Sequence, residues 1–391
     1  MTAARAPNRG PLSGLLVLDM AQFLSGPSAA LRLADLGARV IKVERSGTGD
    51  ICRTLYLTDT DVDGDSTLFH AINRNKESLA LDLKTEHGLA ALKKLVTRAD
   101  VLVHNFRPGV IDRLGLDYDT VKGLNARLVY AGISGYGESG DWAQLPGQDL
   151  LAQSLSGVTW LNGHDGDGPV PLGLSIADML AGHILTEGIL AALVRRGITG
   201  QGAQVQTSLL EALIDLQFEL LTTYMNDGQR IPQRAQFRNA NAYLAAPYGL
   251  YPTADGYLAL AMMPLQKLAG ILQLPQLDAY SAEDAFSKRD EIKRLIASQL
   301  VRQSTQHWLA RLQPQDVWCA EVLDWPRLLE SDAFGRLGMT QWVQRGDGAR
   351  LRTTRSPVRI DGIRPENGRA APQVGEHTDA LVAEFDLDAR R

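Results

Sequence analysis

A carboxylate heads the most apolar stretch of the chain. Asp178 opens "DMLAGHILTEGILAAL" (178–193), where only Gly182, His183, Thr186, Glu187 and Gly188 break up the large apolar residues and alanines. A run of this kind without clustered β-branched residues reads as a buried helix. Asp178 then has two readings. One is the N-cap of that helix, although no Glu or Gln follows at the third position to complete a capping box. The other is a nucleophile or base at the helix mouth, its ionised form favoured by the helix N-terminus, with small Ala181 and Gly182 leaving room for a ligand.

Other groups carry less chemistry. His183 and Glu187 share a helix face at a spacing of four, but no third ligand accompanies them, so a buried polar pair fits better than a metal site. His164 in "NGHDGDGP" (162–169) reads as a turn residue, and the acids beside it lack the spacing of a calcium loop. Arg45, Arg53, Arg107 and Arg113 fall in or just after strand-end loops. Singly they read as solvated; together they would form an electropositive rim for a polyanion. Asn105–Phe106 sets a polar group beside an aromatic that could flank a nucleobase.

The elements that must position these groups follow a repeated plan. "LLVLDMAQFLSGPSAALRLADLGARVIKVE" (15–44) gives a strand, a loop, a helix over 28–36 stopped by Gly37, and a second strand. This is a βαβ unit and implies a parallel sheet. The plan recurs in "SLALDL" (78–83), a helix over 86–97, "DVLVHNF" (100–106) and "RLVYAGISGYG" (127–137). Ligands bind such sheets at the carboxyl ends of the strands. No GxGxxG follows the first strand and no GxxxxGK[ST] occurs, so nicotinamide, flavin and P-loop nucleotide readings lack support. Further on, "YGLYPTADGYLALAM" reads as a hairpin about Asp255–Gly256, and residues 263–340 as mostly helical. Residues 1–210 read as a doubly wound α/β domain, 211–330 as a smaller domain with linkers, and 331–391 as a C-terminal segment.

The bulk numbers agree. The 391 residues are 45% hydrophobic and 22% charged, with a net charge of −5 and two cysteines. Such a chain is globular and has no disulfide framework. Its charge gives no reason to expect nucleic acid or an anionic membrane as partner. No apolar run of about 20 residues suggests a membrane span. A soluble, cytoplasmic protein is expected.

Seven blocks in order, "VLDMAQFLSGPSAALRLADLGARVIKVER", "NRNKESLALDLKT", "ADVLVHNFRPGVIDRLGL", "RLVYAGISGYG", "ADMLAGHILTEGILAALVRRGITGQGAQV", "APYGLYPTADGYLALAM" and "APQVGEHTDALV", resemble the family III CoA-transferases, the CaiB/BaiF group that includes formyl-CoA:oxalate CoA-transferase. The resemblance covers nearly the whole chain. It implies a Rossmann-like, CoA-binding large domain built from N- and C-terminal segments, so that 331–391 returns to 1–210, with a smaller α/β domain, in a homodimer whose two chains interlock. It places Asp178 on the family's catalytic aspartate. It places Gln22, Phe23, Leu24, Ser25, Arg45, Leu81, Asn105, Phe106, Arg113 and Tyr136 around CoA. The implied activity moves CoA from an acyl-CoA, such as succinyl-CoA, to a free carboxylic acid, a small dicarboxylate or hydroxy acid. It runs through an aspartyl anhydride and an aspartyl-CoA thioester. CoA is a substrate, and no metal or further cofactor is implied. Oxyanion donors would be backbone N–H groups of the glycine loops and the Gln22 amide.

One departure bears on the acceptor. The region "QFRNANAYLAAPYG" (236–249) lacks the glycine run that the formyl-CoA branch carries over its site, which puts oxalate in doubt. Arg234, Arg238, Asn239 and Asn241 there are solvated loop residues or hold a distal carboxylate. Two rival readings remain. An α-methylacyl-CoA racemase-like isomerase would need a second base, yet Gln148 stands where that family carries histidine, and an amide takes no proton. A non-catalytic CoA-binding protein would have no need of Asp178 followed by Gly182.

Overall fold

The computed structural model describes residues 10–346, 348–365 and 368–387. The chain divides into two compact units. One holds the residues up to Ala152, Ser175–Leu216 and the stretch from Arg336; the other holds Gln153–Leu174 and Gln217–Gly335. The short excursion 153–174 into the second unit has no composition break to mark it.

In the first unit β1 (Leu16–Asp19), β2 (Arg39–Arg45), β3 (Lys76–Leu81), β4 (Val101–His104), β5 (Val129–Ser134) and β6 (Ala203–Ser208) form one parallel sheet. Its order is β3-β2-β1-β4-β5-β6, every neighbouring pair parallel. The α/β class expected from the repeated strand–helix plan is therefore present. The order reverses between β1 and β4, and this is the switch point where such sheets bind ligands.

The helices that frame it are α1 (Ser25–Asp35), α2 (Thr67–Asn73), α3 (Glu86–Val96), α4 (Asp149–Ser156), α5 (Ile176–Thr199) and α6 (Leu209–Leu216). Alternation along the strands sends Val17, Val40, Val103 and Ala131 into one core with Leu33 of α1 and Leu185 of α5. Leu18, Ile41, Leu79 and Leu102 enter the other core, with Leu92 and Leu95 of α3.

Two elements begin earlier than expected. α1 starts at Ser25 rather than 28, because Pro27 is tolerated in a first turn, where its missing N–H has no intrahelical partner to serve. β3 starts at Lys76 rather than 78, because the Lys76 ammonium is itself buried in an ion pair with Asp19.

The 24-residue α5 corrects the expectation about membrane spans: by length and composition it could cross a bilayer. Its buried residues, Ala177, Ala181, Leu185 and Ile189 among them, instead pack it as a core helix of the first unit.

In the second unit β7 (Gly249–Pro252) and β8 (Tyr257–Leu260) form the expected hairpin, and β9 (Cys319–Glu321) adds to it antiparallel. Leu268, Trp308 and residues of α7 (Arg289–Leu300) close the core of this unit.

Candidate active site

Asp178 lies in the first turn of α5, third after the cap position at Ser175. It does not cap the helix. That role falls to Asp149, in the first turn of α4, whose Oδ1 accepts the backbone N–H of Ala177 at 2.7 Å and of Asp178 at 3.2 Å. Asp178 is thereby left free for chemistry, and the capping reading is replaced.

The electrostatics also differ from expectation. Burial pushes the Asp178 carboxyl up to about 6, and the neighbouring Asp149 charge adds to the rise, while a hydrogen bond from the Ser25 hydroxyl opposes it. The helix N-terminus, expected to favour the ionised form, is outweighed because Asp149 already occupies its N–H groups.

Gly182 is not a ligand space. A Cβ there would come within 2.7 Å of the Ser25 carbonyl oxygen and would strike the Ser28 hydroxyl. The glycine lets α5 cross α1 closely enough for Ser25 to reach Asp178, and Ala181 is fully buried beside it.

The loop between β1 and α1 is held atom by atom. Asn105 accepts the Gln22 N–H (2.8 Å) and donates to the Gln22 carbonyl (2.7 Å) and the Ser25 hydroxyl (3.3 Å). Asp50 accepts the Phe23 N–H at 3.3 Å. Phe23 has a positive φ of 60°, a conformation a bulky residue holds only when its surroundings impose it. Its ring is exposed.

The predicted CoA-binding residues follow the carboxyl ends of strands: Gln22–Ser25 after β1, Arg45 ending β2, Leu81 ending β3, Asn105 and Phe106 just after β4 with Arg113 in the helical turn 110–113 beyond them, and Tyr136 after β5. Arg45 and Arg113 are exposed, whereas Leu81 is buried in the core. Tyr136 is buried too and donates its hydroxyl to the Pro146 carbonyl. Arg53 leaves the expected rim: it is buried against Glu44 and Asp65. His183 and Glu187 are exposed rather than a buried pair, and no metal-binding cluster of acids, His and Cys occurs among the described residues.

In the second unit Arg234 donates to the carbonyls of Asn162 and Gly168, and Asn239 and Asn241 accept from Ala235 N–H and Tyr243 N–H. These groups brace their own loop. Buried Lys293 and Arg289 clamp it further through the carbonyls of Arg238, Ala242 and Gln233.

A cavity of about 370 Å³ lies past β4, β5 and β6, lined by His104, Phe106, Tyr118, Tyr130, Gln206 and Glu211, and not by Asp178. Burial holds His104 down at about 4, so its ring is neutral.

Sequence reasoning missed Asp149, because nothing in a 29-residue separation marks two carboxylates as neighbours. It also missed the buried Lys42, Lys76, Asp19 and Asp50 beneath the loop, which read as ordinary strand and loop charges.

The model of CoA-transferase family III matches residues 12–378. The chain belongs to this family. Succinate–glutarate CoA-transferase of Agrobacterium fabrum is 30% identical to it over 98% of both chains. Acetyl-CoA:oxalate CoA-transferase of Acetobacter aceti is 32% identical over 97% of both. Among solved structures, a CAIB/BAIF family protein from Brucella suis superposes with a TM-score of 0.84 at 29% identity, covering 96% of this chain and all of that one. The protein is a CoA-transferase, an enzyme that moves CoA from an acyl-CoA thioester to a free carboxylic acid.

Proposed function

We propose that Asp178 is the nucleophile of this transfer and that the acids exchanged are small dicarboxylates. The carrying observation is the half-buried Asp178 carboxylate, raised to about 6, held by Ser25 at the switch point of the sheet. The substrate class rests on the similar enzymes named for glutarate and oxalate, both dicarboxylates.

The Asp178 carboxylate attacks the thioester carbonyl, the C–S bond breaks, and CoA thiolate leaves a mixed anhydride. The thiolate attacks the aspartyl carbonyl and releases the donor acid as its carboxylate, giving an aspartyl-CoA thioester. The acceptor carboxylate attacks that thioester and frees CoA thiolate again. The thiolate then takes the acceptor acyl group and returns Asp178. Each step exchanges one activated acyl group for another, so covalent catalysis divides the transfer into low barriers. CoA is the only carrier the cycle requires.

Arg45, exposed at the end of β2, and Arg113, exposed in the helical turn 110–113 beyond β4, suit the CoA phosphates, and Gln22, Asn105 and Phe106 suit its adenosine and pantetheine arm. The side-chain amide of Gln22 makes no hydrogen bond among the described residues and is a donor available to an oxyanion. The reading extends to an interlocked homodimer. It is supported by exposed apolar side chains in each unit, Val194 and Ile198 of α5 in the first and Phe218 and Met225 in the second. Two unpaired cysteines, one of them buried, suit a reducing cytoplasm.

The test is mass spectrometry of acyl-CoA products from succinyl-CoA mixed with glutarate, oxalate, mesaconate, malate and itaconate. New acyl-CoA species are expected from the wild type and none from Asp178→Ala, which should still bind CoA. Residual transfer by Asp178→Ala would refute the assignment of the nucleophile.

A further inference from the structure

Beneath the β1–α1 loop lies a group of buried charges that the transfer chemistry does not use. Lys76 is fully buried, and its ammonium donates three hydrogen bonds of 2.8 Å, to Asp19 Oδ2, Asn73 Oδ1 and the Pro27 carbonyl. Lys42 lies 3.9 Å from the same Asp19 oxygen, pairs with Asp50 at 2.7 Å and donates to the Ala21 carbonyl at 2.9 Å. Asp19 accepts the Ala21 N–H at 3.1 Å. Lys42, Asp19 and Asp50 thus secure the loop, while Lys76 is the member that reaches the helix. Pro27 belongs to the first turn of α1, two residues from Ser25, whose carbonyl abuts Gly182 one turn along α5 from Asp178 and whose hydroxyl lowers the Asp178 carboxyl. A hydrophobic side chain could fill this interior without desolvating an ammonium ion. What a hydrophobic side chain cannot do is tie the end of β1, α2 and the first turn of α1 to one point.

We infer that Lys76 is a positioning residue for CoA transfer: it fixes the first turn of α1, and through Ser25 it sets the place and ionisation of the Asp178 carboxylate. This rests on Asp178 being the nucleophile.

The same helix supplies its own control. Arg74 is also buried and ion-paired, through Nη2 to Asp35 Oδ2 at 2.8 Å, but it holds the C-terminal end of α1. That end lies about 15 Å from Ser25 along the helix axis.

The experiment compares wild type, Lys76→Met and Arg74→Met in kcat, KM for acyl-CoA and thermal midpoint. The Asp178 carboxyl is titrated separately by isotope-edited infrared difference against Asp178→Asn, a readout that needs no turnover. The ionisable group facing Asp178 is Asp149, and those facing Lys76 are Asp19, Lys42 and Asp50. Lys76→Met should lower kcat by about 10–100-fold with KM little changed, as misplaced catalytic groups do. It should also raise the Asp178 midpoint by about one pH unit, the worth of a lost hydrogen bond to a carboxylate. Arg74→Met should lose thermal stability with kcat and midpoint intact. Added to Ser25→Ala, Lys76→Met should raise the midpoint no further.

An unchanged Asp178 midpoint in Lys76→Met, or equal catalytic losses in both variants, would overturn the inference. Lys76→Gln carries the same readouts if the Met variant does not fold. If the wild type transfers no CoA, the proposed function fails, and the infrared titration then decides only whether Lys76 sets the ionisation of Asp178.

Discussion

Replacing Asp178 by Asn should make the protein inactive and more stable, by an amount that depends on pH. The folded chain raises this carboxyl from 3.8 to about 6. Folding therefore opposes its ionisation. The sign follows: the folded state binds the proton more tightly, so the penalty is absent below the unfolded value, grows as pH rises to about 6, and is constant above. At 1.36 kcal/mol per pH unit the penalty reaches about 3 kcal/mol at pH 8 and about 1.6 kcal/mol at pH 5. Because Asp178 is partly exposed, these are upper values. Asn keeps an oxygen acceptor for the Ser25 hydroxyl and adds an N–H donor toward Asp149. At roughly 2 °C per kcal/mol for a long chain, the variant should melt about 6 °C higher than wild type at pH 8 and about 3 °C higher at pH 5. The assay is calorimetry of both proteins at one scan rate and both pH values. A variant no more stable than wild type at pH 8, or a gap that ignores pH, would refute the reasoning that a destabilised carboxylate is built into α5.

Asp149→Asn keeps a cap acceptor but removes the like charge, so the acid limb of kcat/KM should move to lower pH, as read from a rate profile between pH 4.5 and 8. Gly182→Ala forces α1 and α5 apart and should cost about 1–3 kcal/mol, seen as a lower thermal midpoint, with a loss of activity as Ser25 withdraws. Arg113→Ala should raise KM for acyl-CoA several-fold at unchanged kcat and weaken the salt dependence of binding, as expected for one screened contact with a phosphate.

The parallel sheet was legible because strand and helix alternate with different hydrophobic periods, and Gly37 marks the turn between them. Asp178 drew notice as a carboxylate heading an apolar helix, but the local sequence read as readily as an N-cap, and only the family resemblance pointed to catalysis. Its surroundings were not legible, since Asp149, Ser25 and Lys76 meet it only through tertiary packing. Arg53 shows the limit of reading charge at a strand end: in sequence it matches Arg45, yet its guanidinium is buried against Glu44 and Asp65. Gly182 shows the same limit for size. A small residue beside a candidate nucleophile reads as room for a substrate, and here it is room for a helix.

The raised value at Asp178 and its proposed role as nucleophile support each other. A carboxylate is a weak nucleophile largely because it is a weak base and well hydrated. Burial removes part of that hydration and raises basicity together, because both penalise the charged form. With a value of about 6 the group remains about nine-tenths ionised at pH 7, so reactivity rises with little loss of the attacking species. Without Ser25 and Asn105 the same burial would press the carboxyl further toward its neutral form. Without Asp149 the helix N-terminus would be open to Asp178 itself and draw it back toward an ordinary carboxylate. Asp149 thus does two things at once: it satisfies the helix, and it keeps the proposed nucleophile basic.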